Sequence, residues 1–270
     1  KGSEVGAHIL SGAVIDPVGL DALIPGWREE ADAPLSVEVT DDHFWLLGPA
    51  GGVKLPNFAM PPLMNNHGNY VGSLGNVCRW LAAKAEALGV EIYPGFAAAE
   101  ILYDETGRVC GVATGDQGVG KDGQPTGHFT RGMELRAKQT VFAEGCRGSL
   151  TKQLFARFAL DKDCQPQTYG LGIKEVWEVD PAKHRPGQVM HSIGWPLDAA
   201  TYGGSWLYHW ENNCVSIGFV VGLVILGFVA SELSPRAATL ALDAKWLPLG
   251  GHVELEEDPE QAALVRVRRL

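Results

Sequence analysis

The sequence predicts a mixed α/β (α+β) fold, and three stretches carry that expectation. Leu74, Val77, Cys78, Leu81, Ala85 and Leu88 recur at helical spacing before Gly89, a residue suited to a C-terminal cap. VEIYPG follows at once as a strand, giving a helix–strand unit. AAAEILYDETGRVCGVATGD reads as two strands joined at Asp104-Glu105-Thr106-Gly107, a hairpin. From Tyr169 to Leu223 the pattern is strand-rich, with a turn at Glu211-Asn212-Asn213.

The remaining elements follow from local signals. Asp16 before Pro17 marks a helix start, so Pro17 to Leu23 is predicted as a short helix. Leu35 to Leu55 reads as extended segments around the turn Gly48-Pro49-Ala50-Gly51-Gly52, followed by the Pro/Asn-rich loop PNFAMPPLMNNHGNY. MELRAKQTVFAEG is predicted as a strand that runs into GCRGSLTKQLFARF, a glycine-rich turn opening a helix. The chain opens KGSEVGAH, with no Met and no basic-apolar leader, and closes ALVRVRRL inside a helical pattern. A fragment is expected.

Composition narrows the function classes. Apolar residues make up 46% and charged residues 20%, enough for a packed core. Against 32 Asp+Glu stand only 22 Lys+Arg, a formal charge of -10, which argues against nucleic-acid binding and against a polybasic membrane tether. The five cysteines (78, 110, 146, 164 and 214) are scattered without a C-x-x-C pair. That speaks against zinc or an iron–sulfur cluster held by this chain alone, and against a disulfide framework. Residues 212–231 lack any charge and are long enough for a membrane helix. Gly218, Gly222 and Gly227 and the acidic flanks Glu211 and Glu232 favour two buried strands instead.

Few motifs carry chemistry. GDQGVGKD (115–122) imitates a phosphate loop, but Asp122 replaces the Ser or Thr and a turn follows where a helix must begin; a hairpin tip is expected. No complete G-x-G-x-x-G occurs. TVFAEGCRGSL (140–150) ends a strand at Ala143-Glu144-Gly145 before a helix, where backbone can approach a planar cofactor; an ordinary strand-to-helix turn is the alternative. TYGGSWLYHW (201–210) sets Gly203 and Gly204 in an aromatic strand. Such a pair marks either a ligand pressed on the backbone, with Trp195, Tyr202 and Trp206 as walls, or a bulge in a packed sheet. The eight histidines form no metal or triad pattern, and His67 and His209 read as structural. No metal-ligating set and no catalytic residue is assigned.

Long blocks of the chain resemble one family. They are GAHILSGAVIDP, the run from NNHGNYVGSL to GVGKDG, FAEGCRGSLTKQL, PQTYGLGIKEVWEVDPAKHRPG and GWPLDAATYGGSWLYHWENNCVSIGFVVGL, nearly collinear over about residues 1–223. They resemble electron-transfer flavoprotein:ubiquinone oxidoreductase. The resemblance implies a two-dinucleotide-binding-type FAD flavoprotein with an inserted quinone-binding β-sheet. Residues 1–168 would be a partial FAD-binding domain without its first βαβ unit, and 169–223 the ubiquinone-binding sheet. It implies FAD-dependent electron transfer from reduced electron-transfer flavoprotein to ubiquinone, with no acid–base chemistry required of the protein. Ala143, Glu144 and Gly145 would lie along the FAD, and Gly203 and Gly204 would meet the ubiquinone head group. The apolar segment Gly6 to Ile24 would dip into a bilayer. The expected location is monotopic on an inner membrane, at a bacterial cytoplasmic or mitochondrial matrix face.

The departures are at the ends. The family's G-x-G-x-x-G would precede Lys1, and the cysteines of its [4Fe–4S] cluster would follow Leu223, so that cluster is expected only outside this chain. From about Val224 the continuation differs, and residues 224–270 resemble the start of a Nudix hydrolase through KWLPLGGHVE and EDPEQAAL. Gly251 and Glu257 fit the Nudix box, but Val265 and Arg266 stand where Arg and Glu belong, so the Mg²⁺ carboxylates are missing. A truncated pyrophosphohydrolase or a misassembled, non-catalytic chain is the alternative reading.

Overall fold

The computed structural model describes residues 2–9, 12–145, 147–165, 169–223 and 267–269. Among them the chain forms two compact units, one from residues 82–165 with the first seven, the other from residues 8–81 with those from 169 onward. The division expected from the family blocks ran at 168/169; by compactness, residues 8–81 join the later sheet.

The larger unit begins with β1 (Ala13–Ile15) and α1 (Val18–Leu23). Asp16 stands just before that helix, its Oδ1 accepting the Val18 N–H at 3.0 Å, while Pro17 takes the N-cap position. Strands β2 (Val37–Glu38), β3 (Asp41–Gly48) and β4 (Gly51–Leu55) follow, then β5 (Tyr70–Gly72) and α2 (Leu74–Ala87). Strands β1, β5 and β2 make a small antiparallel sheet in that order. Leu20, the fully buried Trp27, Leu35, Val77 and Trp80 form the core beneath the two helices. The inward stripe of α2 is therefore Val77 and Trp80 with Leu81 packed beside them, while Leu74 and Leu88, predicted on that stripe, are exposed. Trp80, outside the aliphatic pattern, joins the predicted Val77 and Leu81 in that core as the largest side chain the helix buries.

Helix α2 ends in a Schellman cap. Gly89 is at φ +87°, its N–H bonds Glu86 O at 2.9 Å, and the Val90 N–H reaches back to Ala85 O at 3.0 Å. This corrects the strand predicted at VEIYPG. Val90 is spent on the cap, and among the described residues no strand runs beside Val90–Gly95 to supply ladder partners.

The smaller unit holds β6 (Ala98–Tyr103), β7 (Val109–Thr114), β8 (Gln117–Val119), β9 (Pro125–Thr130), β10 (Glu134–Arg136) and α3 (Ser149–Phe158). The β6–β7 hairpin is as predicted, its turn held by Asp104 Oδ1, which accepts from Thr106 and Arg108 N–H at 2.9 and 3.0 Å. Lys121–Gly123 is the tip of the β8–β9 hairpin, not a phosphate loop. The long strand predicted from Met133 to Gly145 is corrected to the three residues of β10. Residues 140–145 find no ladder partner among the described residues, and Val141 is 86% exposed. Ile101, Leu150 and Leu154 bury α3 against the sheet.

Back in the larger unit, β11 (Tyr169–Glu178), β12 (Gln188–Gly194), β13 (Gly203–His209) and β14 (Cys214–Leu223) build the main sheet. Its order is β15-β11-β14-β13-β12-β3-β4, β15 being Val267–Arg269. The turn at Asn212 and Asn213 has both residues left-handed, φ 57° and 56°, as a tight hairpin requires. The uncharged segment thus supplies strand β14 through Leu223. Its second predicted strand, and the Nudix-like stretch, lie outside the described residues. Among those residues no helix is long and apolar enough to cross a membrane.

Candidate functional site

The register of the main sheet sorts side chains into rows across one face, since alternate residues share a face. One row is Asp42, Val189, Tyr208, Ser216 and Val176. The next is Phe44, His191, Trp206, Gly218 and Lys174. A third holds Leu46 and Ile193, and beside them Gly204, Val220 and Gly172. Val14 and Val71 of the small sheet pack over the first row, where Val189 and Ser216 are fully buried. Exposure rises along the face, with Leu46 and Ile193 more than two-fifths exposed.

Polar groups concentrate in the first two rows. Asp42 is buried and its Oδ2 accepts from the Asn66 N–H at 2.9 Å and Asn66 Nδ2 at 3.1 Å. His191 Nε2 and Tyr208 Oη lie 2.7 Å apart. Burial holds the His191 imidazole below its ordinary range, partly offset by the charge of Asp42, and the same burial and charge push the Tyr208 phenol up. Trp206 Nε1 donates to Ser216 Oγ at 3.3 Å, and its ring stacks on Tyr208 at 6.2 Å. Lys174 Nζ donates to Gly12 O at 2.6 Å, and desolvation lowers it to about 8.

The glycines have partners of their own. A Cβ on Gly218 would meet the Trp206 ring at 2.0 Å, so Gly218 makes room for the indole across the strand. Gly203 and Gly204 differ. Their added Cβ atoms would meet backbone, Val220 O at 2.3 Å and Ser192 O at 2.1 Å. The sheet itself therefore excludes side chains there. The β12–β13 ladder stops at Ser192–Ser205, whereas the β13–β14 ladder runs on to Gly203–Val221. Among the described residues Gly203 and Gly204 are thus in ladder register with β14 alone, with Ser192 O and the Leu197 side chain close to them.

The second sequence-predicted site sits in the smaller unit. Glu144 turns its carboxylate onto the start of α3, Oε2 accepting from Leu150 N at 3.1 Å, Thr151 N at 2.8 Å and Thr151 Oγ1 at 2.8 Å. Gly145 stands at φ +79° with open space where a Cβ would project. A cleft of about 260 Å³ runs along Thr140–Glu144 over Ala98 and Leu150. Among the described residues the Thr140 hydroxyl, buried there, has no hydrogen-bond partner. Sequence reasoning missed a third feature, the loop after β4. Phe58 and Leu63 are 93% and 98% exposed on it, and only its proline spacing could have flagged it.

Comparison with known proteins fits this arrangement. A family model described as ETF-QO, ubiquinone-binding, matches residues 169–236, which takes in β11 to β14 and runs past the expected limit at 223. The chain is 58% identical over 223 residues to the mitochondrial electron transfer flavoprotein-ubiquinone oxidoreductase of Dictyostelium discoideum, 83% of this chain and 36% of that protein. By sequence it is similar to the electron transfer flavoprotein-ubiquinone oxidoreductases. The Pseudomonas aeruginosa electron transfer flavoprotein-ubiquinone oxidoreductase is 57% identical over 225 residues, 83% of this chain and 41% of that one. The chain thus spans about two-fifths of the length of these electron transfer flavoprotein-ubiquinone oxidoreductases. In fold it is similar to a geranylgeranyl bacteriochlorophyll reductase-like protein of Thermoplasma acidophilum (TM-score 0.52, 17% identity, 82% of this chain and 48% of that one). A myxobacterial chondrochloren halogenase, of the FAD-dependent halogenases, scores 0.52 at 14% identity, covering 90% of this chain and 50% of its own. At such identities the likeness concerns fold, and the fold is of the α/β FAD-flavoprotein type.

Proposed function

We propose that this chain carries the ubiquinone-binding sheet and part of the FAD-binding domain of an enzyme that moves electrons from reduced electron-transfer flavoprotein, through FAD, to ubiquinone. The observation that carries this reading is the high identity to named relatives over 223 residues, coinciding with a matched ubiquinone-binding region. On this reading the quinone head group meets the backbone at Gly203 and Gly204, and the end of the β12–β13 ladder at Ser192–Ser205, just before them, supports the assignment.

FAD, when bound, supplies one- and two-electron redox chemistry that side chains lack. The residues present fit one edge of it. The open backbone at Ala143–Gly145 and the Thr140 hydroxyl, unpaired among the described residues, suit a planar, polar-rimmed group. They do not suit its diphosphate, because Glu144 already fills the anion seat of α3. The cleft is also smaller than the ~300–1,000 Å³ of pockets that enclose such ligands. The exposed Phe58 and Leu63, with Val18 and Leu23 of α1, support contact with a membrane surface on an inner membrane. A [4Fe–4S] cluster is assigned to no residue here. Among the described residues no three His, Cys, Asp or Glu gather as a metal site.

The test is binding of a short-chain ubiquinone to the 270-residue chain, followed by quenching of tryptophan fluorescence. Saturable quenching supports the reading, and its absence up to the solubility limit of the quinone overturns it.

A further inference from the structure

His191 occupies an unusual place on the sheet. It lies in the second row, one row from Gly204, and its strand leaves the ladder just after Ser192. Adjacent rows are about 7 Å apart along the strands. A flat head group with carbonyl oxygens at opposite ends spans that gap when hydrogen-bonded at each. One end would meet the backbone at Gly203–Gly204, and the other would meet the imidazole.

The tautomer follows from satisfying the phenol. Among the described residues, His191 Nε2 is the only hydrogen-bond partner of the Tyr208 hydroxyl, at 2.7 Å. A largely buried phenol O–H needs an acceptor, so Nε2 accepts and the ring proton resides on Nδ1. Among the described residues Nδ1 has no hydrogen-bond partner, and it is not one of the fully buried unpartnered atoms, so an N–H there can meet solvent or a ligand's acceptor. Tyr208 is anchored in turn between Val189 and Ser216, both fully buried.

We propose that His191, held in this tautomer by Tyr208, donates its Nδ1–H to a carbonyl oxygen of a quinone lying on the glycine-bearing end of the sheet. The proposal rests on the quinone-binding reading above. It assigns His191 a hydrogen bond and not the delivery of a proton. Giving up Nδ1–H would leave an imidazolate, or would draw the phenolic proton onto Nε2 and leave a tyrosinate. The negative charge of Asp42 and the burial of the phenol both oppose the tyrosinate. The group that faces His191 from β13 is Tyr208, Asp42 approaches from β3, and Lys174 lies across the sheet in the same row.

The experiment titrates the 270-residue chain with ubiquinone-1 and with its dimethyl ether of the quinol, which keeps the ring but loses the carbonyl acceptors. Wild type is expected to prefer the quinone. His191→Phe should weaken quinone binding about 5- to 10-fold, the worth of one hydrogen bond, and leave the ether unchanged. Tyr208→Phe keeps the ring packing and should weaken quinone binding by a smaller factor. In ¹⁵N-histidine spectra of wild type, the protonated His191 nitrogen should be Nδ1 and should shift on adding quinone. Circular dichroism identifies any variant that fails to fold, and the spectra of wild type then decide alone. Equal quinone affinity in folded His191→Phe, or a protonated Nε2, overturns the proposal while the quinone reading stands. No quinone binding by wild type overturns both.

Discussion

Glu144 and Thr151 are joined at the start of α3 by two contacts, carboxylate to N–H and carboxylate to hydroxyl, both 2.8 Å. The glutamate precedes the helix by five residues, yet it satisfies the amides that a helix N-terminus leaves open. Desolvation acts to raise its pKa, but the Thr151 and Leu150 hydrogen bonds together outweigh that and hold it low. A carboxylate seated in this way also competes with any phosphate for the same amides.

Glu144→Gln is therefore expected to destabilise the smaller unit by about 0.5–1 kcal/mol at neutral pH, a typical loss for a partly exposed cap. The sign with pH follows from the lowered folded-state pKa. The stabilisation is full above the ordinary glutamate range and is lost as pH falls through the folded value. Urea titrations of both proteins at pH 7 and pH 3 check this, and a difference that grows on acidification contradicts it.

Gly204→Ala is expected to cost about 1–3 kcal/mol or more, because the added methyl meets the Ser192 carbonyl at 2.1 Å and a strand cannot yield as a side-chain tip can. Gly19→Ala is the control. It lies in α1 with nothing within 4 Å of an added Cβ, and alanine favours helix, so a gain of up to about 1 kcal/mol is expected. Thermal melts followed by circular dichroism separate the two. Bulky variants at Gly204 consequently report on the sheet before they report on quinone.

How much was legible depended on whether a residue's role was local. The β6–β7 turn, the Asn212–Asn213 turn, the Asp16 helix start and the Gly89 cap were readable because turn and cap chemistry acts within a few residues. The strand at Val90–Gly95 failed because strand formation needs a neighbour the local pattern cannot name. The Gly203–Gly204 pair was visible as unusual, but its tight approach to Ser192 and Val220 is a fact of register between strands. The dyad of His191 and Tyr208 was invisible, since seventeen residues and a hairpin separate its members.

Asp42→Ala is expected to destabilise the larger unit by about 1–3 kcal/mol, since it leaves the Asn66 N–H without its acceptor in a partly buried place, while Asn66 Nδ2 keeps only its longer bond to Met64 O. Asp42→Asn keeps an acceptor oxygen and should cost less. Chemical denaturation of the three proteins under one condition ranks them, and equal losses for Ala and Asn would count against the hydrogen-bond account.

Lys174 supplies a pH test of the main sheet. Desolvation lowers its folded-state pKa from 10.5 to about 8, while unfolding returns it to water. Between those values the unfolded chain binds more protons than the folded one, so stability rises with pH across that window. Below about pH 8 both states are protonated, and the cost of the partly buried charge is present in full. Above 10.5 both are neutral and the cost is gone. Lys174→Met removes this titration, and its unfolding free energy should lack the rise. The expected difference between wild type and variant changes by on the order of 1 kcal/mol between pH 7.5 and pH 10, reduced from the full shift because the group is only partly buried. The Gly12 carbonyl, which accepts from Nζ at 2.6 Å, favours the charged form and works against the window. Parallel pH dependences for the two proteins would therefore mean that this one hydrogen bond cancels the desolvation of the ammonium.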